Sequence, residues 1–221
     1  MITIPINNVT FGNPTQEQLA LMDVPVWLNG IIDVNNYPQP LNDSIVTRQE
    51  LNEITDSIDK IKMPHNAAKL ESFQNFDKKL TESIVSYFKK EKDLDFTDLC
   101  NNIQSDLENF IYSLKYFYNR PRPRQLANIL KLSLVPFTSE NANTPSYPSG
   151  HTLIGSVILK TIEKLHPTLS EETIEMQHII AESRIFLGVH YRSDNDFSFE
   201  LAAKIVSNEN FIKKYLEIPK T

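Results

Sequence analysis

A single cysteine, Cys100, stands among the 221 residues of this chain. One thiol excludes an internal disulfide framework and any site built from several thiolates. Cys100 itself is expected to be an ordinary, partly buried helix residue. Positive charge is also in short supply. Lys and Arg number 22 against 28 Asp and Glu, a formal net charge of −6. Bulk attraction to nucleic acid or to an anionic membrane is therefore not expected, and an anion site has to be built locally against the background field. Long apolar runs are missing. The most apolar stretch, LIGSVILKTI from Leu153, meets Lys160 well before the length a bilayer requires. The opening MITIPINNVTFGNPT has neither a basic start nor a continuous apolar segment of the secretory type. The chain reads as cytoplasmic or otherwise soluble, with no membrane span. Glycine occurs five times only, so a glycine at a junction carries information.

What is present points to helices. The hydrophobic fraction of 40% can bury a real core. Repeated prolines (Pro5, Pro14, Pro25, Pro38, Pro40) keep the first forty or so residues irregular, with a short helix from Thr15 to about Asp23 and Trp27 as an anchor. Thr47 followed by Glu50 reads as a capping box opening a helix to about Lys62. Apolar residues at three- and four-residue steps predict one long helix over about 66–90, and another capped by Thr97 and stopped by Pro121 and Pro123. A short helix near 125–132, a turn-rich loop from Pro136, and helices over about 149–165, 171–186, 194–206 and 210–216 complete the pattern. The fold class expected is all-α, a bundle of six to eight helices.

Three segments carry chemistry, each at a helix end. KYFYNRPRP places Lys115, with six residues between, ahead of Arg122-Pro123; YPSGHT supplies Ser149, Gly150 and His151; SRIFLGVHYRSD supplies Arg184, His190 and Asp194. Lys115, Arg122 and Arg184 are cations brought from three separate segments, and the planar fork of arginine matches phosphate oxygens two at a time. Ser149 and Gly150 lie where a loop becomes a helix, so free N–H groups and the helix dipole favour an anion there. Gly188 is expected to break the preceding helix and turn His190 inward. His190 and Asp194 are four apart, close enough for the carboxylate to fix the ring tautomer and leave the other nitrogen as a nucleophile. His151 is placed to protonate a leaving oxygen and then activate water. This division needs His190 neutral and His151 protonated, and favours mildly acidic to neutral pH.

The three segments resemble the signature of the type-2 phosphatidic acid phosphatase superfamily, K-x6-R-P, P-S-G-H and S-R-x5-H-x3-D, in order and spacing. SYPSGHT, ESRIFLGVHYRSD and the tail NENFIKKYLE are further similar to the soluble bacterial class A nonspecific acid phosphatases, relatives of the vanadium haloperoxidases. The likeness runs from roughly Lys90 to the C-terminus. It implies the all-helical fold of those enzymes, with residues 1–221 as one phosphatase domain and 1–45 as an irregular arm packed on it. It also implies metal-independent phosphomonoester hydrolysis through a phosphohistidine on His190. Asp194 would orient that ring, and His151 would serve as general acid and base. Lys115, Arg122, Ser149, Gly150 and Arg184 would hold the phosphoryl group. No cofactor and no metal is implied, although vanadate or phosphate would fit the same cradle. The partner implied is a small-molecule phosphate ester, with phosphate transfer to alcohols as a related activity; oligomeric state is unreadable. The stretch DNDFSFELAA departs from the family's small residues and bears on the pocket wall.

Rival readings are a vanadate-dependent haloperoxidase, which shares the cradle but is generally much larger, and a catalytically silent phosphate-binding helical protein. Arg120 and Arg124 read as surface charges, His65, His166 and His178 as structural or solvent-facing, and Tyr147 as a candidate for the pocket wall. Substrate specificity is expected to reside in the loop from Pro136 to Tyr147 and in the N-terminal arm.

Overall fold

A computed structural model describes residues 5–22, 28 and 30–217 of the chain. The anchoring role expected of Trp27 falls outside the described residues. Within them the regular structure is helical, with no strand. The helices are α1 (Gln16–Ala20), α2 (Ile45–Ile61), α3 (Ala67–Lys78), α4 (Leu80–Lys92), α5 (Thr97–Tyr118), α6 (Pro123–Leu130), α7 (Gly150–Leu165), α8 (Ser170–Phe186), α9 (Arg192–Ile205) and α10 (Glu209–Tyr215).

Their ends follow from local chemistry, not always from the residues first expected. Asn119 turns left-handed after α5, and Pro123 opens α6 in the first turn, where its missing N–H has no partner to lose. Ser149 caps α7 as anticipated, its Oγ accepting the Thr152 N–H. The cap of α2, however, is Ser44, which takes the Thr47 N–H at 3.1 Å. Thr47 instead donates its hydroxyl to the Leu41 carbonyl, and Glu50 is released for another task. At α5 the acceptor is Asp95, which binds both the N–H and the hydroxyl of Thr97.

The long helix expected over 66–90 is two. It breaks at Lys79 (φ −144°, ψ 60°) without proline or glycine. The cause lies two residues earlier, at Asp77. Its carbonyl accepts from Asn141 Nδ2 (2.6 Å) and meets His151 Nε2 (3.0 Å), so it is drawn out of the helical ladder.

α7 occupies the centre. It buries residues around most of its circumference, including Leu153, Val157, Ile158, Leu159 and Ile162, as a helix surrounded by others must. α8 and α9 flank it, and α5 and α4 close the other side. At Gly155 a Cβ would come within 2.9 Å of Ile180, so the lack of a side chain sets how closely α7 and α8 approach. Ile84, Phe88, Ile103, Leu107, Val157, Leu201 and Phe211 share one core cluster across α4, α5, α7, α9 and α10. Cys100 is fully buried in it. The N-terminal segment is held by polar contacts. The Phe11 N–H donates to Asn119, Gln125 donates to Phe11, and Asn42 donates to Ile6 and Val9. No described helix is long and apolar enough to cross a membrane.

Candidate active site

The turn between α8 and α9 presents His190. Both Val189 and His190 donate their N–H groups to the Arg184 carbonyl, and Gly188 between them and α8 has φ +77°. A Cβ at that position would lie 2.7–3.0 Å from Ile58 and Pro136, so no other residue makes this reversal without displacing them. His190 is thereby buried, with Nδ1 2.9 Å from Asp194 Oδ2 and Nε2 2.9 Å from Arg122 Nη1. A guanidinium can only donate. Nε2 is therefore the acceptor, the ring proton sits on Nδ1 and is given to Asp194, and one tautomer is selected. Burial, then the charges of Arg122 and Lys115, holds His190 well below the ordinary histidine range.

The three expected cations all act on this ring, Arg122 by contact and Lys115 and Arg184 through their charge. All are buried. Arg122 is clamped by the carbonyls of Thr144 and Val189. Lys115 donates to the carbonyls of Pro145 (2.8 Å) and Pro148 (2.7 Å), fastening the loop that leads into α7. Burial and the charge of Arg122 push its pKa well down. Arg184 uses one nitrogen, Nη2, on Asp77 Oδ1 at 2.6 Å, whereas its Nε and Nη1 are buried without a hydrogen-bond partner. Buried donors are rarely left so. Gly150 and His151 occupy the first turn of α7, where backbone N–H groups have no intrahelical acceptor. Ser149 is brought to the same turn, but its hydroxyl is spent on Thr152 and is fully buried.

Asp77 was not singled out by its sequence context and is central here. Its carboxylate pairs with Arg184 and accepts from Ser139 (2.8 Å). Its carbonyl lies 3.0 Å from His151 Nε2. A carbonyl can only accept, so His151 carries a proton on Nε2 and, while neutral, leaves Nδ1 bare. Burial, then the Arg184 charge, lowers the His151 pKa to about 3. The signal was present: Asp77 lies four residues after Phe73, on the buried side of α3, and an acid within an apolar stripe announces a buried partner.

Behind the ring lies a second ionic group. Arg120, expected at the surface, is 0% exposed. Its Nη1 donates to Asp194 Oδ1 (2.6 Å) and Ser193 Oγ (2.8 Å), and its Nη2 to Glu50 Oε2 (3.1 Å). The guanidinium also stacks 3.8 Å from the Tyr191 ring centre. Burial opposes its charge, but Asp194, Tyr191 and Glu50 outweigh that and its pKa is raised. The other Asp194 oxygen, Oδ2, takes His190, the Ser146 hydroxyl and the Tyr191 N–H.

A cavity of about 280 Å³ opens on the front of this assembly. His151, Lys115, Gly150 and Thr144 line its floor, and Glu82, Gln104, Glu108 and Tyr112 stand around it with Asn141 and Asn143. The 136–147 loop thus contributes to the mouth as expected, but α4 and α5 contribute as much. Tyr147 does not line it. Its ring stacks on Phe197 (4.6 Å, 4°) and meets Tyr118 edge-on, which makes it core. Phe197 is the first bulky residue of DNDFSFELAA, so that departure fills an aromatic cluster and leaves this cavity unchanged. Arg124, His65 and His178 are exposed, and His166 packs against Phe96. Among the described residues no group of three or more His, Cys, Asp or Glu is placed to hold a metal ion.

The PAP2 superfamily model matches residues 101–206. A non-specific acid phosphatase of Providencia stuartii is 33% identical over 63 residues, 28% of this chain and 23% of the relative. One from Salmonella typhimurium is 32% identical over 88 residues, 38% of this chain and 33% of the relative. The matched stretch thus spans a third or less of these relatives. Among solved structures, a bacterial vanadium-dependent iodoperoxidase superposes with a TM-score of 0.63 at 18% identity, covering 97% of this chain and 62% of that one. A transmembrane PAP2-type phosphatidylglycerolphosphate phosphatase from Bacillus subtilis superposes with a TM-score of 0.51 at 17% identity, covering 90% and 98%. Residues 101–206, just under half of the chain, are thus similar to the PAP2 superfamily, and the helical fold is shared with both solved structures.

Proposed function

We propose that the chain is a metal-independent phosphomonoester hydrolase acting through a phosphohistidine on His190. The observation that carries this reading is the fixed tautomer of a buried histidine whose acceptor nitrogen meets Arg122 and whose ring lies in the field of Lys115 and Arg184. Arg122 donates to that nitrogen. An arriving phosphoryl group offers Arg122, Lys115 and the two unmatched donors of Arg184 better acceptors, and so exposes Nε2. Its negative charge also reverses the environment of His151, which takes a proton on Nδ1 because Nε2 is already committed to Asp77.

In the first step the Nε2 lone pair attacks phosphorus and the P–O ester bond breaks. His151 gives its Nδ1 proton to the departing oxygen, releasing the alcohol. Asp194 keeps the Nδ1 proton of His190 in place throughout. In the second step water attacks phosphorus, His151 Nδ1 takes the water proton, and the P–N bond breaks to return neutral His190 and phosphate. The cations and the α7 N–H groups stabilise charge on the equatorial oxygens in both steps. Ser149 contributes through the turn it caps. The polar mouth suits a polar leaving group.

Hydrolysis of a chromogenic aryl phosphate from pH 4 to 8 tests this reading, with and without chelator and orthovanadate, in wild type and His190→Ala. Turnover that resists chelator, is inhibited by vanadate and falls by about 10⁴-fold or more in the variant is expected. Turnover that survives the substitution rules out His190 as nucleophile. Halide peroxidation on adding vanadate, without ester hydrolysis, transfers the assignment to haloperoxidase chemistry.

A further inference from the structure

We propose that Arg120 and Glu50 are positioning residues for the nucleophile: their ion pair fixes the orientation and charge of Asp194 and through it the Nδ1–H form of His190. The role as stated rests on the phosphatase reading, while the geometry stands without it.

The two oxygens of Asp194 are served unequally. Oδ2 accepts from His190, Ser146 and the Tyr191 N–H, whereas the hydrogen bond to Oδ1 comes from Arg120, at 2.6 Å. Asp194 is 0% exposed, so water cannot replace a lost donor. Without Arg120, Oδ1 is a buried acceptor with no donor. The carboxylate, no longer drawn toward Arg120, then pulls harder on the Nδ1 proton and disturbs the Nδ1–H form of the imidazole. Ser146 and Tyr191 cannot prevent this, because both act on the other oxygen.

Arg120 needs holding in turn, since a free guanidinium could swing toward the phosphoryl group. Tyr191 stacks on it, Ser193 accepts from Nη1, and Glu50 accepts from Nη2. The second Glu50 oxygen accepts the Ser193 N–H at 2.6 Å. One acid from α2 therefore restrains both Arg120 and the first turn of α9, the turn that carries Asp194. The sequence of groups is Glu50, Arg120, Asp194, His190, Arg122, alternating in charge about a neutral ring. The other ionisable groups whose charges act on His190 are Lys115 and His151, which line the cavity, and Arg184.

The arrangement makes a signed prediction. Arg120 draws electron density from Asp194, so its removal makes the carboxylate a stronger acceptor for the Nδ1 proton. Glu50 tempers Arg120, so its removal does the reverse. Packing damage alone has no reason to give opposite signs.

The test uses the full chain labelled with ¹⁵N-histidine, with the His190 resonance assigned by its loss in His190→Ala. In Arg120→Gln the Nδ1–H proton is expected to move downfield of wild type. In Glu50→Gln it should move upfield, and Arg120→Lys should lie nearer wild type. For an aryl phosphate, kcat should fall by about 10- to 100-fold in Arg120→Gln, the range seen when outer partners of metal-binding histidines are removed. KM should stay within about threefold, because the phosphoryl contacts are untouched. An unmoved resonance, shifts of one sign in both variants, or KM rising in step with the loss of kcat overturns the proposal. If Arg120→Gln does not fold, Glu50→Gln and Arg120→Lys still carry the sign test. If the wild type hydrolyses no ester, the phosphatase reading fails while the resonances still decide the positioning role.

Discussion

On the cavity side of His190, Arg184 keeps two buried nitrogens without partners; behind the ring, Arg120 keeps none. Both guanidiniums are fully buried and both pair with an acid from an earlier helix; Arg120 reaches the His190 ring through Asp194, and Arg184 shares Asp77 with His151. The difference is one of completeness. A buried donor left unmatched costs roughly 1–3 kcal/mol, and a fold retains such a cost where a ligand relieves it. The rear charges are matched to one another, although the Tyr191 hydroxyl beside them has no partner, and their contribution is orientation. Unmatched donors mark where the missing partner belongs, and matched ones mark what must not move.

The sharpest way to break this contrast is at Arg184. Arg184→Ala should lower kcat/KM by about 10²- to 10³-fold, as for loss of a donor to transition-state charge. It should also destabilise the protein by about 3–5 kcal/mol, because Asp77 is left as a buried unpaired charge. Adding Asp77→Asn should return most of the stability and none of the turnover, a separation readable by urea denaturation beside steady-state kinetics. If turnover returns as well, Arg184 serves packing.

Ligand-linked stability is the next discriminator. Phosphate or orthovanadate at about a hundred times its Kd should add about 2.7 kcal/mol to the wild type. The gain should vanish in Arg184→Ala and persist in Glu50→Gln. Equal loss in both variants would show that front and rear form one unit.

Protonation gives a third, smaller effect. His151 and His190 both have folded-state pKa values below the ordinary 6.5, His151 at about 3. Lowered histidine pKa values mean that the unfolded chain binds protons first. Their contribution to stability is therefore complete above pH 6.5 and is lost as pH falls below it, by up to about 1.4 kcal/mol per pH unit for each ring. Phosphate should flatten this dependence by raising the His151 pKa, with proton uptake on binding detectable by calorimetry in buffers of different ionisation enthalpy. A pH-independent unfolding curve between 7 and 5 would contradict the assignment.

The smallest effect is expected at the mouth. Glu82→Gln and Glu108→Gln should each improve kcat/KM for a leaving group bearing extra phosphates by about two- to fivefold relative to an aryl phosphate. The gain should fade in high salt, since both side chains are exposed.

How much of this could be read from the chain depends on where each residue's partner lies. Helix class and the order of the helices follow from periodicity, and the cation and histidine positions follow from spacing, because those signals are local. The misassigned pieces are the ones whose partners are remote in sequence. Glu50 fitted a capping box by spacing, and the structure gives it to Arg120, 70 residues away. Arg120 looked like one of three arginines in a turn. Asp77 is separated from Arg184 by 107 residues, and its carbonyl, by leaving the helix, divides a segment whose apolar steps run on unbroken. In both acids one clue was available, a carboxylate among buried positions of an amphipathic helix.

The two counter-charges share an origin. Glu50 belongs to α2 and Asp77 to α3, both ahead of residue 101, whereas Lys115, Arg120, Arg122 and Arg184 all lie within the family-matched stretch. The matched stretch thus sets one buried acid, Asp194, among four buried cations and takes two further acids from the preceding helices. A lineage is free to rebuild the preceding helices, reshaping the mouth as it does so, on condition that two acids return to the same places. A graft of residues 101–206 onto foreign helices would have to carry that condition with it.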